Sequence, residues 1–286
     1  LIIFIFPIVC FASTKDSYHC FPESDLKIPV KKENPGSSLF KNFAMAPTSG
    51  LSQLEFEHVI KKFSDFWSPI IMNKYQKKLK FENNWSEERI NASATRDFDD
   101  NPIIRVSGGL ARHPDITKNG MLMILCHELG HQFGGAPKSF RGRSTKRSWS
   151  SAEGQADYYA TTKCMARMAL SNALYPEHVK IGTSQCKNDL CLKIAPAALS
   201  VGNLFASLKS DWERPSLNEK SPFAVRSTFY RHPSPQCRLD TFVAGSLCTE
   251  DFDKDFDNFD HTVGSCTKDQ DPEAARPKCW FSHQKY

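Results

Sequence analysis

A mixed fold of helices and short strands is predicted for this chain by three observations. Apolar residues recur with a helical period from Leu51, an apolar run long enough for a buried helix covers 121–133, and three strand-like runs lie between them. Of 286 residues, 40% are hydrophobic and 24% charged, which excludes a disordered chain, a collagen-like repeat and a coiled coil. A net charge of +5, from 37 Lys+Arg against 32 Asp+Glu, is too mild for a nucleic-acid partner.

The first twelve residues are apolar, and no charge occurs before Lys15. They are too few to cross a bilayer, which needs about 20, and they suit the apolar region of a secretory signal cut after Ala12. The missing initiator Met and basic start predict that the natural chain begins earlier. A lipid-anchored Cys10 fits less well, because Ile8-Val9 lacks a small residue; a buried N-terminal strand is the other alternative. The longest remaining apolar run is 121–126, so no integral membrane segment is expected in the mature chain, which reads as secreted or periplasmic. Ten cysteines agree with export, since such a density marks disulfide staples in an oxidising compartment. Losing Cys10 with the signal leaves an odd number. Cys126, in the apolar helical run, is the expected lone thiol, with four bridges among the others.

Residues 13–50, rich in Lys, Pro, Ser and Gly, read as an irregular leader. From there Leu51, Leu54, Val59, Ile60, Phe63 and Trp67 mark a helix that Pro69 should interrupt, with a second stretch to about residue 78. Strands are expected at 79–85, 90–95 and 103–107. The helix at 121–133 should stop at Gly134-Gly135, a polar loop should cover 136–149, and a second long helix should run from near Ser150 towards Leu174. One more helix is expected at 197–208. From about Cys237 periodicity fades, so residues 246–286 are expected to form a cysteine-stapled tail behind a domain covering 51–245.

The chemistry lies in His127-Glu128-Leu129-Gly130-His131. On a helix, positions four apart share a face, so both imidazoles can reach one metal ion, and Glu128 can take a proton from a water beside it. Twenty-two residues past His131, Glu153-Gly154-Gln155-Ala156-Asp157 repeats the four-residue spacing with carboxylates. Glu153 can be the third metal ligand while Asp157 accepts the N–H of a ligand imidazole. The alternative is that Ser150 and Glu153 form a capping box at the helix start, which would occupy the carboxylate.

H-E-x-x-H followed by E-x-x-x-D resembles the gluzincin metallopeptidases. Asn91-Ala92-Ser93-Ala94 is similar to the Asn-Ala-x-Ala strand of the CAAX prenyl protease family and its soluble minigluzincin relatives. The strand at 103–106 with Gly108-Gly109-Leu110, and His232-Pro233 with Arg238 six positions after the His, match further motifs of that family. The likeness covers about residues 79–240. Prenyl-peptide specificity is not carried over, because the family's transmembrane helices are missing here and the cysteines are atypical.

The resemblance implies an α+β zincin-like core: an active-site helix, a glutamate helix and a small mixed or antiparallel sheet. Asn91, Ala92, Ser93 and Ala94 would lie on an edge strand that binds an extended substrate by strand addition. His127, His131 and Glu153 would hold one Zn2+ per chain, with Glu128 as general base, His232 as donor to the oxyanion and Arg238 anchoring that segment. The expected function is a monomeric zinc-dependent endopeptidase acting on protein or peptide. A catalytically silent surface binding module and a zinc hydrolase of a cell-wall amide are the alternatives. Two charged segments complete the reading. The loop at 138–147 holds Lys138, Arg141, Arg143, Lys146 and Arg147; the run at 250–260 is acidic, and could bind calcium or dock on the basic loop and cover the cleft.

Overall fold

The computed structural model describes residues 50–140, 145–177 and 183–283, together with the backbone of Tyr18–His19. The expected signal and most of the leader, Cys10, Cys20, Arg141 and Arg143 lie outside the described residues.

Strand β1 (Tyr18–His19) comes first in the chain, followed by helix α1 (Gln53–Tyr75). Ser52 caps α1 in a capping box with Glu55. The helix does not break at Pro69. It buries Phe56, Val59, Ile60 and Phe63 before the proline and Ile71 after it, and that continuous apolar stripe outweighs a cost of about 3 kcal/mol for the lost hydrogen bond. Gln76, in a left-handed conformation at φ 55°, ends it.

Three strands follow: β2 (Lys80–Asn84), β3 (Ala92–Arg96) and β4 (Pro102–Ser107). With β1 they form one mixed sheet in the order β1-β3-β4-β2. β3 and β1 are antiparallel, β3 and β4 are antiparallel, and β2 and β4 are parallel. β2 is exposed along most of its length, whereas β3 is buried up to Thr95 because α3 packs against it.

After the single turn α2 (Gly108–Ala111) comes α3 (Lys118–Phe133), capped by Thr117. It lies at the centre of the fold, against α1, the sheet and the helices that follow. Gly134 and Gly135, the latter at φ +67°, turn the chain away as expected. Where a polar loop was expected, the chain forms a hairpin of β5 (Lys138–Phe140) and β6 (Arg147–Ser151). Strands this short leave almost no alternating pattern to read.

The second long helix is composite: α4 (Glu153–Tyr159), a π-helical stretch at Ala160–Met165, and α5 (Ala166–Leu170). Next, α6 (Asp189–Ser207) begins earlier than expected, at the Asn188 cap, and carries Pro196 inside it. By length and composition α6 could cross a membrane, but 61% of its apolar window is buried in the protein, as in the core helix of a globular domain. The final helix among the described residues, α7 (Pro235–Leu247), occupies the stretch around Cys237 from which no periodicity is expected. It is buried almost all round, so the sequence has no polar face to set against an apolar one.

Among the described residues, four disulfides join Cys126 to Cys164, Cys186 to Cys191, Cys237 to Cys279 and Cys248 to Cys266. Cys126 is therefore not the lone thiol. Its helical position faces the π-helical stretch, where the thiol of Cys164 meets it. The bridges mark the protein as one of an oxidising environment. Phe256, Cys266 and Ala274 join the main core, so the C-terminal region packs into it.

Among the described residues, the acidic run bonds to cations outside the basic hairpin. Asp255 accepts from Lys74 Nζ at 2.7 Å and from Tyr75 Oη at 2.6 Å, Asp253 pairs with Arg167, and Lys163 donates to the Asp251 carbonyl at 2.6 Å. These partners lie on α1 and the composite helix, which carry the matching cations.

Candidate metal centre

Helix geometry sets His127 and His131 one turn apart on α3, with their rings 4.7 Å apart and edge to face. Both are buried, as is Glu128 beside them. Glu153 opens α4 and projects back towards the two rings. Glu153 Oε2 lies 3.3 Å from His127 Nε2, and Oε1 lies 3.6 Å from His131 Nε2. Two ligands of a tetrahedral zinc at about 2.05 Å stand roughly 3.3 Å from each other. One donor atom from each of the three residues falls within 4.8 Å of the other two, so the group has the spacing and chemistry to hold a metal ion.

Close approach of the two helices makes this possible. A Cβ on Gly130 would sit 2.7 Å from the carbonyl oxygen of Ala156, so only glycine lets α3 and α4 come this near. The capping-box alternative is set aside. The N-cap of α4 is Ala152 with no side-chain hydrogen bond, and the Ser150 hydroxyl lies against His131 Nδ1 and the Ser151 carbonyl instead.

Each imidazole is oriented from behind. His127 Nδ1 donates to Asp157 Oδ1 at 2.7 Å, and His131 Nδ1 donates to the Ser151 carbonyl at 2.9 Å. With the proton on Nδ1, both Nε2 lone pairs turn towards Glu153. Asp157 is itself gripped by Arg238, from Nε at 2.9 Å and from Nη2 at 2.6 Å. Both side chains are wholly buried, and the guanidinium stacks 3.7 Å from the Phe205 ring centre.

The electrostatics suit a cation. Burial alone would raise the Glu153 carboxyl, but the neighbouring His232, His131 and His127 side chains reverse this and hold it well below the carboxylate range. Burial likewise raises Asp157, and Arg238 and then His127 bring it below its ordinary value. Burial pushes His131 down to about 4, so its ring is neutral at pH 7.

His232 approaches from the opposite wall, with Nε2 3.5 Å from Glu153 Oε1. Its side chain is 24% exposed, which puts it at the mouth of the site. Thus the structure gathers His127, Glu128, His131, Glu153, Asp157, His232 and Arg238. Asn91, Ala92, Ser93 and Ala94 lie elsewhere, at and along β3, and they are not on a bare edge. Tyr18 pairs with Ala94 and His19 with Ser93, so the chain's own leader covers that side of the strand. The exposed N–H and C=O groups of a strand edge recruit whatever extended backbone is within reach.

Sequence reading missed the supports beneath α4. Trp280 packs on Gly154 so tightly that a Cβ there would overlap the indole, Arg276 Nε donates to Gln155 Oε1 at 2.6 Å, and Tyr158 Oη donates to the Ala274 carbonyl at 2.7 Å. Nothing in the spacing of these residues signals the contacts. No family model, curated protein or solved structure compared with this chain matches it.

Proposed function

We propose that this chain is a zinc-dependent endopeptidase with a gluzincin-like centre in a zincin-like core. The observation that carries the reading is the meeting of the Glu153 carboxylate with both Nε2 atoms of the H-E-x-x-H helix. Two imidazoles and one carboxylate favour zinc over harder cations. The ion would be held by His127, His131 and Glu153, and when bound it would supply Lewis acidity to acidify a water and polarise a carbonyl.

The chain's own groups supply the remainder. Glu128 accepts a proton as the water oxygen bonds to the carbonyl carbon, then passes it to the amine nitrogen as the C–N bond breaks. His232, at the mouth, donates a hydrogen bond to the oxyanion that develops on the former carbonyl oxygen. Asp157 keeps the His127 proton on Nδ1, and Arg238 fixes Asp157. An extended peptide would pair along β3, and to do so it must displace Tyr18–His19. The disulfides fit a secreted or periplasmic enzyme. We propose that it acts as a monomer.

The test is metal analysis of the purified protein beside a chelator-sensitive peptide digest. Glu128→Gln should retain about one zinc per chain and lose at least about 100-fold in cleavage rate. Full activity in that variant would remove the general-base assignment; protein without bound zinc would remove the whole reading.

A further inference from the structure

One cavity carries chemistry that the hydrolytic centre does not use. It encloses about 570 Å3 between the end of β3, the end of α3, the β5–β6 hairpin and the segment after α7. Three cations line it: Arg96, Lys138 and Arg147. Among the described residues they donate their hydrogen bonds to neutral groups, with the Asp100 charge acting on Arg96 without a bond to it. Arg96 Nε donates to Gln132 Oε1 at 2.9 Å, and its guanidinium lies 4.5 Å from the Trp149 ring centre. Lys138 Nζ donates to the Trp149 carbonyl at 3.1 Å. Arg147 donates to the Lys138 carbonyl at 3.0 Å and to Tyr230 Oη at 2.9 Å, and it stacks on Phe140 and Tyr230. The acid on the opposite wall, Asp255, is already held by Lys74 and Tyr75.

Among the described residues, then, three cations face one cavity with no carboxylate bridged to any of them. Two are substantially desolvated. Burial and the neighbouring Arg96 charge push Lys138 down to about 8, and burial lowers Arg96 in spite of the opposing Asp100 charge. Groups in this state gain most from an anion that enters and accepts their hydrogen bonds.

The cavity also continues the site. Gln132 follows the ligand His131 on α3. Trp149 and Ser148 precede Ser151, whose carbonyl orients that histidine. Arg96 ends the strand that carries Ala92, Ser93 and Ala94, and two residues of strand from Ala94 to Arg96 span about 6.6 Å. A peptide laid along β3 therefore reaches the cavity within about two residues.

We propose that this cavity is a specificity subsite that takes an acidic side chain of a peptide substrate, its carboxylate lying among Arg96, Lys138 and Arg147. The assignment rests on the peptidase reading and narrows it to substrates bearing Asp or Glu.

The test compares C-terminally amidated peptides identical except for Glu, Gln or Lys at one scanned position, with a neutral peptide ending in a free carboxylate as a fourth arm. The zinc-loaded protein should cleave the Glu peptide about tenfold or more faster in kcat/KM than the Gln peptide. Lys138→Glu and, separately, Arg147→Glu should reverse the order towards the Lys peptide. Equal rates for Glu, Gln and Lys in the unaltered protein overturn the subsite while the peptidase stands; a preference for the free-carboxylate peptide alone overturns the side-chain assignment. Binding of the same peptides to the Glu128→Gln protein, followed by calorimetry, needs no turnover. If nothing is cleaved but the Glu peptide binds about tenfold tighter than Gln, and Lys138→Glu abolishes that difference, the subsite survives and the peptidase reading falls. Equal binding sinks the subsite.

Discussion

Helices α3 and α4 each present two polar residues four apart to one site, yet they are held by different means. α3 has 16 residues, a Thr117 cap and burial over nearly its whole length; the core fixes it. α4 has seven residues, lacks a side-chain cap and runs straight into a π-helical stretch. Its position comes from outside itself: Arg238 of α7 holds Asp157, Trp280 lies against Gly154, and Arg276 holds Gln155. One half of the site is thus specified by hydrophobic burial and the other by polar and steric contacts from a distant part of the chain. The histidine half should tolerate loss of its outer contacts, and the glutamate half should not.

The largest effect is expected from Asp157→Asn. It strips the charge from a wholly buried pair and leaves Arg238 uncompensated, which should cost about 3–5 kcal/mol in denaturant unfolding. Zinc affinity should fall about 10–100-fold as the acceptor of His127 Nδ1–H loses its negative charge. Unchanged stability would show that α4 does not depend on α7.

Gly154→Val should cost less, about 1–3 kcal/mol, because the added atoms overlap the Trp280 indole and drive α4 from its seat. A metal titration should weaken alongside the thermal midpoint. Retained affinity in a destabilised protein would separate the seating of α4 from the geometry of the centre.

Least affected should be Glu55→Ala, which removes an exposed contact of Glu55 with Lys118 in the first turn of α3, at 2.9 Å, together with the capping box of α1. Hydrogen bonds from the Ser52 backbone and from Lys118 lead the causes that lower the Glu55 carboxyl from 4.5 to about 2. A carboxyl lowered in the folded state stabilises fully above its unfolded value and loses that contribution as pH falls from 4.5 towards 2. The variant should therefore be slightly less stable than the parent at pH 7, the difference fading as pH falls through that interval, with zinc binding at pH 7 unaltered. A fall in zinc binding there would show that α3 relies on its exposed end.

Legibility in the sequence follows the same division. The α3 helix and its glycine stop, the strands β2 to β4 and the start of α4 are written in local periodicity and punctuation. Pro69 misled because its local cost is real but smaller than the burial on both sides. α7 was invisible because a helix buried all round has no amphipathic pattern, and β5–β6 was too short to show one. Cys126 looked like an inert packing thiol until Cys164 was brought against it. Trp280 and Arg276 are far from Glu153 in sequence, and no spacing rule joins them.

By itself the sequence determined that His127 with His131, and Glu153 with Asp157, share helix faces. A four-residue separation nearly completes a turn of 3.6, whatever surrounds it. Only the tertiary structure decided that the Glu153 carboxylate turns to the imidazoles instead of capping its own helix, that Arg238 locks Asp157, and that β3 is covered by Tyr18–His19. Those outcomes depend on how closely two backbones can approach, and the room at Gly130 and the contacts from residues over a hundred positions away set that distance.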